Sequence, residues 1–261
     1  DYISKSLRIG CQLYLYTIRT CKAENFHFQA CLYFFPELEK LVPQLHMASV
    51  YAMLSAFPSA KQVANAHLTR LTNLLSESSK GHYGKETAIT FRDAARTSIG
   101  SNMPAKSLEL KHTIMLIQEL DSEIDEIENE IKIIMDEINS PILSIPGISY
   151  RMGAMIIAEI SDFSRFDSPD KILAYAGFSP STYQSGQLDG AYARTEKRGS
   201  RYLRYALYNA AKYVDPTFAA YLAKKQAEGK HYNVALSHAV KKLVRVIYHL
   251  EKSKQQYIKA A

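Results

Sequence analysis

The longest regular pattern of apolar positions in the chain runs from residue 107 to residue 139. Ile117, Leu120, Ile124, Ile127, Ile131, Ile134 and Ile138 alternate spacings of three and four, which predicts one long helix with a heptad seam. Among them stand Glu119, Asp121, Glu123, Asp125, Glu126, Glu128, Glu130, Asp136 and Glu137. Spread around the polar faces in this way, the carboxylates predict a solvated coiled-coil surface rather than a metal site. The seam itself needs a partner helix, within the chain or from a second copy.

Upstream, shorter apolar repeats predict shorter helices. Helical text begins at "FFPELEKL", "SVYAMLSAF" ends at Pro58, and Ser59 is placed to cap the next helix. "HLTRLTNLLSESS" is stopped by "KGHYG", and "KETAITFRDAARTS" by Gly100. "GHYGK" lacks the glycine spacing of a phosphate-binding loop and the Ser or Thr after its lysine, so it reads as a turn. Residues 1–33 are rich in Tyr, Leu, Phe and Cys without clean periodicity and receive no element.

Downstream, Pro141 breaks the long helix and a short apolar turn runs to Pro146-Gly147. A second helix starts near Ser149, with Met152, Met155, Ile156, Glu159 and Ile160 at helical spacing. Helix, "PGI" turn, helix is the pattern of a helix-hairpin-helix element. There Gly147 lets a backbone approach closely, and the N–H groups opening the second helix can hold a phosphate. The alternative is a plain αα-hairpin of the core. "SPDKILAYAGF" predicts a capped helix with Pro169 in its first turn and Gly177 past its end.

A polar stretch with "YQSGQ" follows, and then the arginines. Lys197, Arg201, Arg204 and Tyr208 share one helical face, with Leu203, Ala206, Leu207 and Ala210 on the other. Tyr202, Tyr205 and Tyr208 interleave with the cations, as nucleic-acid surfaces often show. The last helix repeats the design with Lys241, Lys242 and Arg245, while His231 and His238 have no further ligand in view. The predicted fold class is mainly α. A helical linker over 34–105 and a coiled-coil helix over 106–140 precede a compact helical domain over 141–261 that contains the hairpin element.

Charge sharpens this picture. The 261 residues carry a net +6, but from Arg194 onward 15 Lys or Arg face 4 Asp or Glu, a net of +11. Clustered cations of this kind suit a polyanion, because they release counterions condensed on a phosphate backbone. No apolar run approaches the roughly 18 residues that cross a bilayer, so no membrane partner is expected. "DYISKSLRIG" has no signal-peptide plan and no initiator methionine. Cys11, Cys21 and Cys31 form no C-x-x-C pair and are odd in number, which favours a reducing cytosol over a disulfide framework.

From "LSIPGISYRMGAMIIAEISDFSRFDSPDKILAYAGFSPSTYQSG" through "EKRGSRYLRYALYNAA" the sequence resembles the C-terminal domain of the 110/116/902 group of bacterial insertion-sequence transposases. The proline-glycine turn, the "AEI-D--RF" segment, the "YAG--P" turn, "QSG" and "KRG-R-LR" come in the family's order. The resemblance reaches back to about "FFPELEKL" and leaves out residues 1–33. It implies a recombinase with two catalytic parts: an N-terminal RuvC-like domain whose four acids hold Mg²⁺, and a C-terminal domain with a serine nucleophile. It also implies an oligomer, working in the bacterial cytoplasm on two double-stranded DNAs, that a structured element RNA can guide. The serine carries over onto Ser185, before Gly186, with Ser181 and Ser179 as second choices. No RuvC-like acidic set is found in this sequence, so the resemblance implies an incomplete chain that is inactive alone, with no cofactor of its own.

Serine attack on a phosphate puts extra negative charge on the phosphoryl oxygens, which calls for nearby cations. Arg194, Lys197, Arg198 and Arg201 are the cations just downstream. The expected DNA contacts are these four with Gly147, Arg204, Lys241, Lys242 and Arg245. The rival reading is a non-catalytic DNA-binding module in which "YQSGQ" is only a loop. A coiled-coil adaptor, the third, leaves the basic end unexplained.

Overall fold

A helix of 29 residues, α1 (Tyr2–Ala30), occupies the stretch that showed no period. The computed structural model describes residues 2–179, 184–185, 188–189, 195–213 and 216–258. Its described residues are helical almost throughout, and they fall into two units, Leu15–Asp125 and Asp1–Tyr14 with Glu126–Ala261. None of their helices is long and apolar enough to cross a membrane.

The unit over Leu15–Asp125 packs α2 (Leu38–Leu41), α3 (Ala48–Ala56), α4 (Ala60–Ala64), α5 (Leu68–Ser78) and α6 (Lys85–Arg96) around one apolar core. Phe28, Phe34, Phe35, Met53, Leu54, Leu71 and Phe91 are among its largest fully buried side chains. Ser59 caps α4 as its position predicts, accepting from the Gln62 N–H at 3.4 Å. The other predicted stop differs in detail. Helix α6 ends at Arg96, and Gly100 is needed for close approach, since a Cβ there would meet the Phe34 carbonyl oxygen at 2.0 Å.

The 35-residue helix α7 (Pro104–Ile138) carries the predicted seam. Its seam positions are buried or half-buried, and all of its acids named above are exposed except half-buried Glu128. Parts of α1 lie along this helix. Within Leu15–Asp125, Leu110, Ile114 and Ile117 share the core with Phe28, and the Cys21 thiol donates to Asp121 at 3.4 Å. Within the other unit Gly10 faces Ile131, and Arg151 donates both to the Tyr14 hydroxyl and to Glu128.

Burial accounts for the cysteines on α1. It pushes the Cys11 thiol up to about 12, with Glu159 adding to the effect, and the Cys21 thiol up to about 11, helped by Asp121. Native protein should therefore leave Cys11 unlabelled by iodoacetamide at pH 8 and label it fully in urea, read by peptide mapping. Because the folded state holds this proton past the ordinary thiol value of 9.0, its contribution to stability should fade as pH rises from about 9 toward 12. Rapid native labelling would contradict the packing of α1.

In the second unit a 3-10 turn (Pro141–Ser144) leads to Ile145-Pro146-Gly147-Ile148 and then α8 (Tyr150–Ile160). Gly147 has φ +88°, and the Ile148 N–H donates to the Ile145 carbonyl at 3.1 Å, a type II turn with proline and glycine in their preferred places. Ile145 and Ile148 are buried while Pro146 and Gly147 are exposed. The helix starts where predicted, with Ser149 as its cap. After α9 (Pro169–Tyr175), two short strands pair antiparallel, β1 (Gln184–Ser185) with β2 (Leu188–Asp189). Then α10 (Arg201–Tyr213), α11 (Pro216–Ala227) and α12 (Tyr232–Ser253) complete the unit, with α10 packed on both α8 and α12.

Candidate nucleic-acid interface

The serine segment is held by a stem. The backbone N–H groups of Glu196, Lys197 and Ser200 donate to the carbonyls of Ser179 (2.9 Å), Gly177 (3.2 Å) and Tyr175 (2.9 Å). Two glycines make this close approach possible. Gly177 has φ +76° and Gly199 φ +114°. A Cβ on Gly199 would stand 2.2 Å from the Tyr175 carbonyl oxygen, and one on Gly177 2.4 Å from that of Arg198. Gly199→Ala should accordingly cost at least ~2 kcal/mol of stability, measured by urea unfolding. A change under ~0.5 kcal/mol would mean that the stem yields without consequence.

A buried carboxylate fixes the start of α10 to this stem. Ser200 caps α10, accepting from the Leu203 N–H at 3.0 Å, and its hydroxyl donates to Glu159 on α8 at 2.5 Å. Arg8 on α1 lies 3.6 Å from the other Glu159 oxygen and donates to the carbonyls ending α8. The "AEI" glutamate thus positions the helix that carries the basic residues. Neither its role nor that of Ser200 shows in helical spacing alone.

On the outer side of α10, Lys197, Arg201, Arg204, Tyr205, Tyr208 and Lys212 line one concavity of about 370 Å³. Lys197, Arg201, Arg204 and Tyr208 are thereby brought together as their spacing predicts. Lys212 and Tyr205 join them, and the spacing 201, 205, 208, 212 could have found both. Arg201 lies over the Tyr202 ring at 4.8 Å and donates to its hydroxyl at 2.8 Å. Arg204 has a second task, since one of its terminal nitrogens donates to the carbonyls of Ala176 (2.9 Å) and Lys197 (3.2 Å) in the stem. Arg198 is outside this concavity and strongly exposed, 3.9 Å from the Glu196 carboxylate.

The three cations of α12 are not together. Lys241 lines an adjoining concavity with Lys197 and Lys212. Lys242 sits over the Tyr221 ring of α11 at 4.9 Å, and Arg245 reaches Asp170 of α9 at 3.8 Å. His238, on the wall beside Lys241, is held below the usual histidine value by burial and by Lys230, Lys241 and Lys225. Gly147 stands at the exposed turn before α8. Ser185 is described by its backbone, which pairs with Leu188. Arg194, Ser181 and Gly186 lie outside the described residues. Among the described residues no three His, Cys, Asp or Glu side chains converge as a metal site.

Comparison with known proteins meets this geometry. Residues 139–225, from the end of α7 through the stem to α11, match the model of the Transposase IS116/IS110/IS902 family. The chain is 26% identical over 236 residues to the insertion element IS116 uncharacterized 44.8 kDa protein of Streptomyces clavuligerus, covering 86% of this chain and 58% of that protein. It is 29% identical over 114 residues to the insertion element IS110 uncharacterized 43.6 kDa protein of Streptomyces coelicolor, covering 42% and 28%. The matched part of this chain thus spans 58% and 28% of the lengths of these two relatives. Residues 139–225 of this chain thus resemble a transposase domain of the IS116/IS110/IS902 family.

Proposed function

We propose that this chain is the DNA-binding and serine-bearing part of an insertion-sequence transposase. The observation that carries this reading is the basic concavity of α10, which adjoins the stem of the segment bearing Ser185. Its ammonium and guanidinium groups suit successive phosphates of double-stranded DNA, and Tyr205 and Tyr208 add planar surface between them. The exposed Pro146-Gly147 turn and the N-terminus of α8 form a helix-hairpin-helix contact to the same backbone. Lys241, Lys242 and Arg245 add charge on separate faces rather than as one grip.

In the chemical step the Ser185 hydroxyl oxygen bonds to a DNA phosphorus while one P–O ester bond breaks. The serine proton departs, and the displaced deoxyribose oxygen acquires one. The phosphoserine link keeps the bond energy for rejoining. Lys197, Arg198 and Arg201 are the described cations near the stem that would offset the charge developing on phosphorus. The resemblance assigns Mg²⁺ and four carboxylates to a RuvC-like domain. The described residues do not fit that ion, and no step here runs through it.

The binding half is tested by salt. Log affinity for duplex DNA should fall linearly with log salt, at about −0.9 per phosphate contact. Arg201→Ala with Lys212→Ala should flatten that slope by about 2 units across unrelated sequences. This pair spares Arg204, whose loss would also loosen the stem. An unchanged slope would return these side chains to a merely solvated face.

A further inference from the structure

Beside the stem, a second concavity of about 640 Å³ opens between α10 and the first turns of α12. That volume suits a single small ligand and is far too confined for a duplex. Its floor is apolar, with Phe178 and Leu236 buried. Tyr208 packs on Phe178 with ring centroids 5.0 Å apart, and its hydroxyl is held by Ser237 at 2.8 Å. Ser237 in turn donates to the Asn233 carbonyl at 2.9 Å, so this wall is fixed in place. The rim differs from the floor. Tyr232 presents an aromatic ring 41% exposed, and Lys197, Lys212 and Lys241 bring three ammoniums to the same opening.

We propose that this concavity receives one extrahelical nucleotide of a DNA strand, with its base against Tyr232 and its phosphate among Lys197, Lys212 and Lys241. A bare anion would use the lysines and leave the aromatic wall without purpose. A nucleotide uses both, because every base has a face that stacks on tyrosine and every linkage carries a charge. The inference rests on the DNA-binding reading above and deepens it. Lys197 and Lys212 line both concavities, so a strand gripped along α10 can place one unpaired nucleotide in the second without leaving the first.

His238 supplies an internal reporter. Lys241 on its own helix, Lys225 of α11, and Glu228 and Lys230 in the connection after it face His238, and the lysines oppose its protonation. A phosphate arriving among the rim cations should raise its pKa.

The experiment compares a perfectly paired duplex with the same duplex carrying one unpaired thymidine, both binding the 261-residue chain by fluorescence anisotropy. The bulged duplex should bind about tenfold more tightly. Tyr232→Ala should erase that preference and leave affinity for the paired duplex unchanged, while Tyr232→Phe should keep it. Thymidine 5′-monophosphate should raise the His238 pKa, followed by NMR, at concentrations where inorganic phosphate does not. Equal affinity for the two duplexes, a preference that survives in Tyr232→Ala, or inorganic phosphate acting as well as the nucleotide would each overturn the inference. Failure to bind either duplex would refute the DNA-binding reading itself, whereas equal binding refutes only the nucleotide site.

Discussion

Ser185→Ala is expected to abolish the covalent protein–DNA adduct and to change affinity for duplex DNA by no more than about twofold, since removing one hydroxyl leaves every cation of α10 in place. The assay joins this chain to the RuvC-like domain that the family resemblance implies, and supplies the element's RNA, its cognate DNA and Mg²⁺. Denaturing gels then separate the adduct from free protein. Ser179→Ala and Ser181→Ala should both keep the adduct. The Ser179 carbonyl serves the stem through its backbone, which alanine preserves. The 261-residue chain by itself should bind duplex DNA and form no adduct, with or without Mg²⁺. Cleavage by the isolated chain would end the two-part account of the active site.

The second large effect is expected at the α1–α7 seam. Ile131 is 1% exposed and faces Gly10, so Ile131→Asp would put a carboxylate in a buried position shaped for an apolar side chain. We expect a loss of about 4 kcal/mol, a large fraction of the stability of an ordinary domain. Ile131→Val should cost only about 1 kcal/mol, and Ile133→Asp, at a position 61% exposed, should cost almost nothing. Because Ile131 meets Gly10 of α1 within the chain, the effect should show as a lowered unfolding midpoint and not as a lower mass in light scattering. Native stability in Ile131→Asp with a halved mass would instead place a second copy on the seam.

That seam also shows what the sequence could and could not disclose. On α7 the seam is spelled by six isoleucines and a leucine with nine acids among them, so the period is plain. On α1 the buried positions are Leu7, Cys11, Tyr14, Thr17, Cys21 and Phe28, close to a heptad but spelled in small and polar residues. Ile9, Tyr16 and Phe26 on the exposed side mask the contrast further. A pattern of hydrophobicity is therefore faint there, although the pattern of burial is regular. Caps behaved differently: Ser59 was legible because capping depends on neighbours three residues away.

At the interface the division is similar. The cations of α10 share a face because helical geometry dictates it from spacing alone. The stem joins Tyr175–Ser179 to Glu196–Ser200 across the serine segment, and no local rule predicts a pairing over that separation. Gly177 was legible as a helix stop, but its closeness to Arg198 and Arg204 depends on the tertiary fold. The same is true of Glu159, which reads as one more position on a helical face until Ser200 and Arg8 are brought to it. Lys242 and Arg245 stand within a few residues of Lys241 in sequence, yet each meets a different helix.

One measurement locates the proposed chemistry on a single atom. Trypsin should release residues 172–194 as one peptide, since it follows Lys171, ends at Arg194 and contains no other Lys or Arg. It carries Ser179, Ser181 and Ser185 together. After the adduct is trapped and its DNA trimmed with nuclease, fragmentation of this peptide in a mass spectrometer assigns the phosphonucleotide. The account predicts it on Ser185. A phosphonucleotide on Ser179, on Ser181 or on any peptide outside residues 172–194 would contradict it.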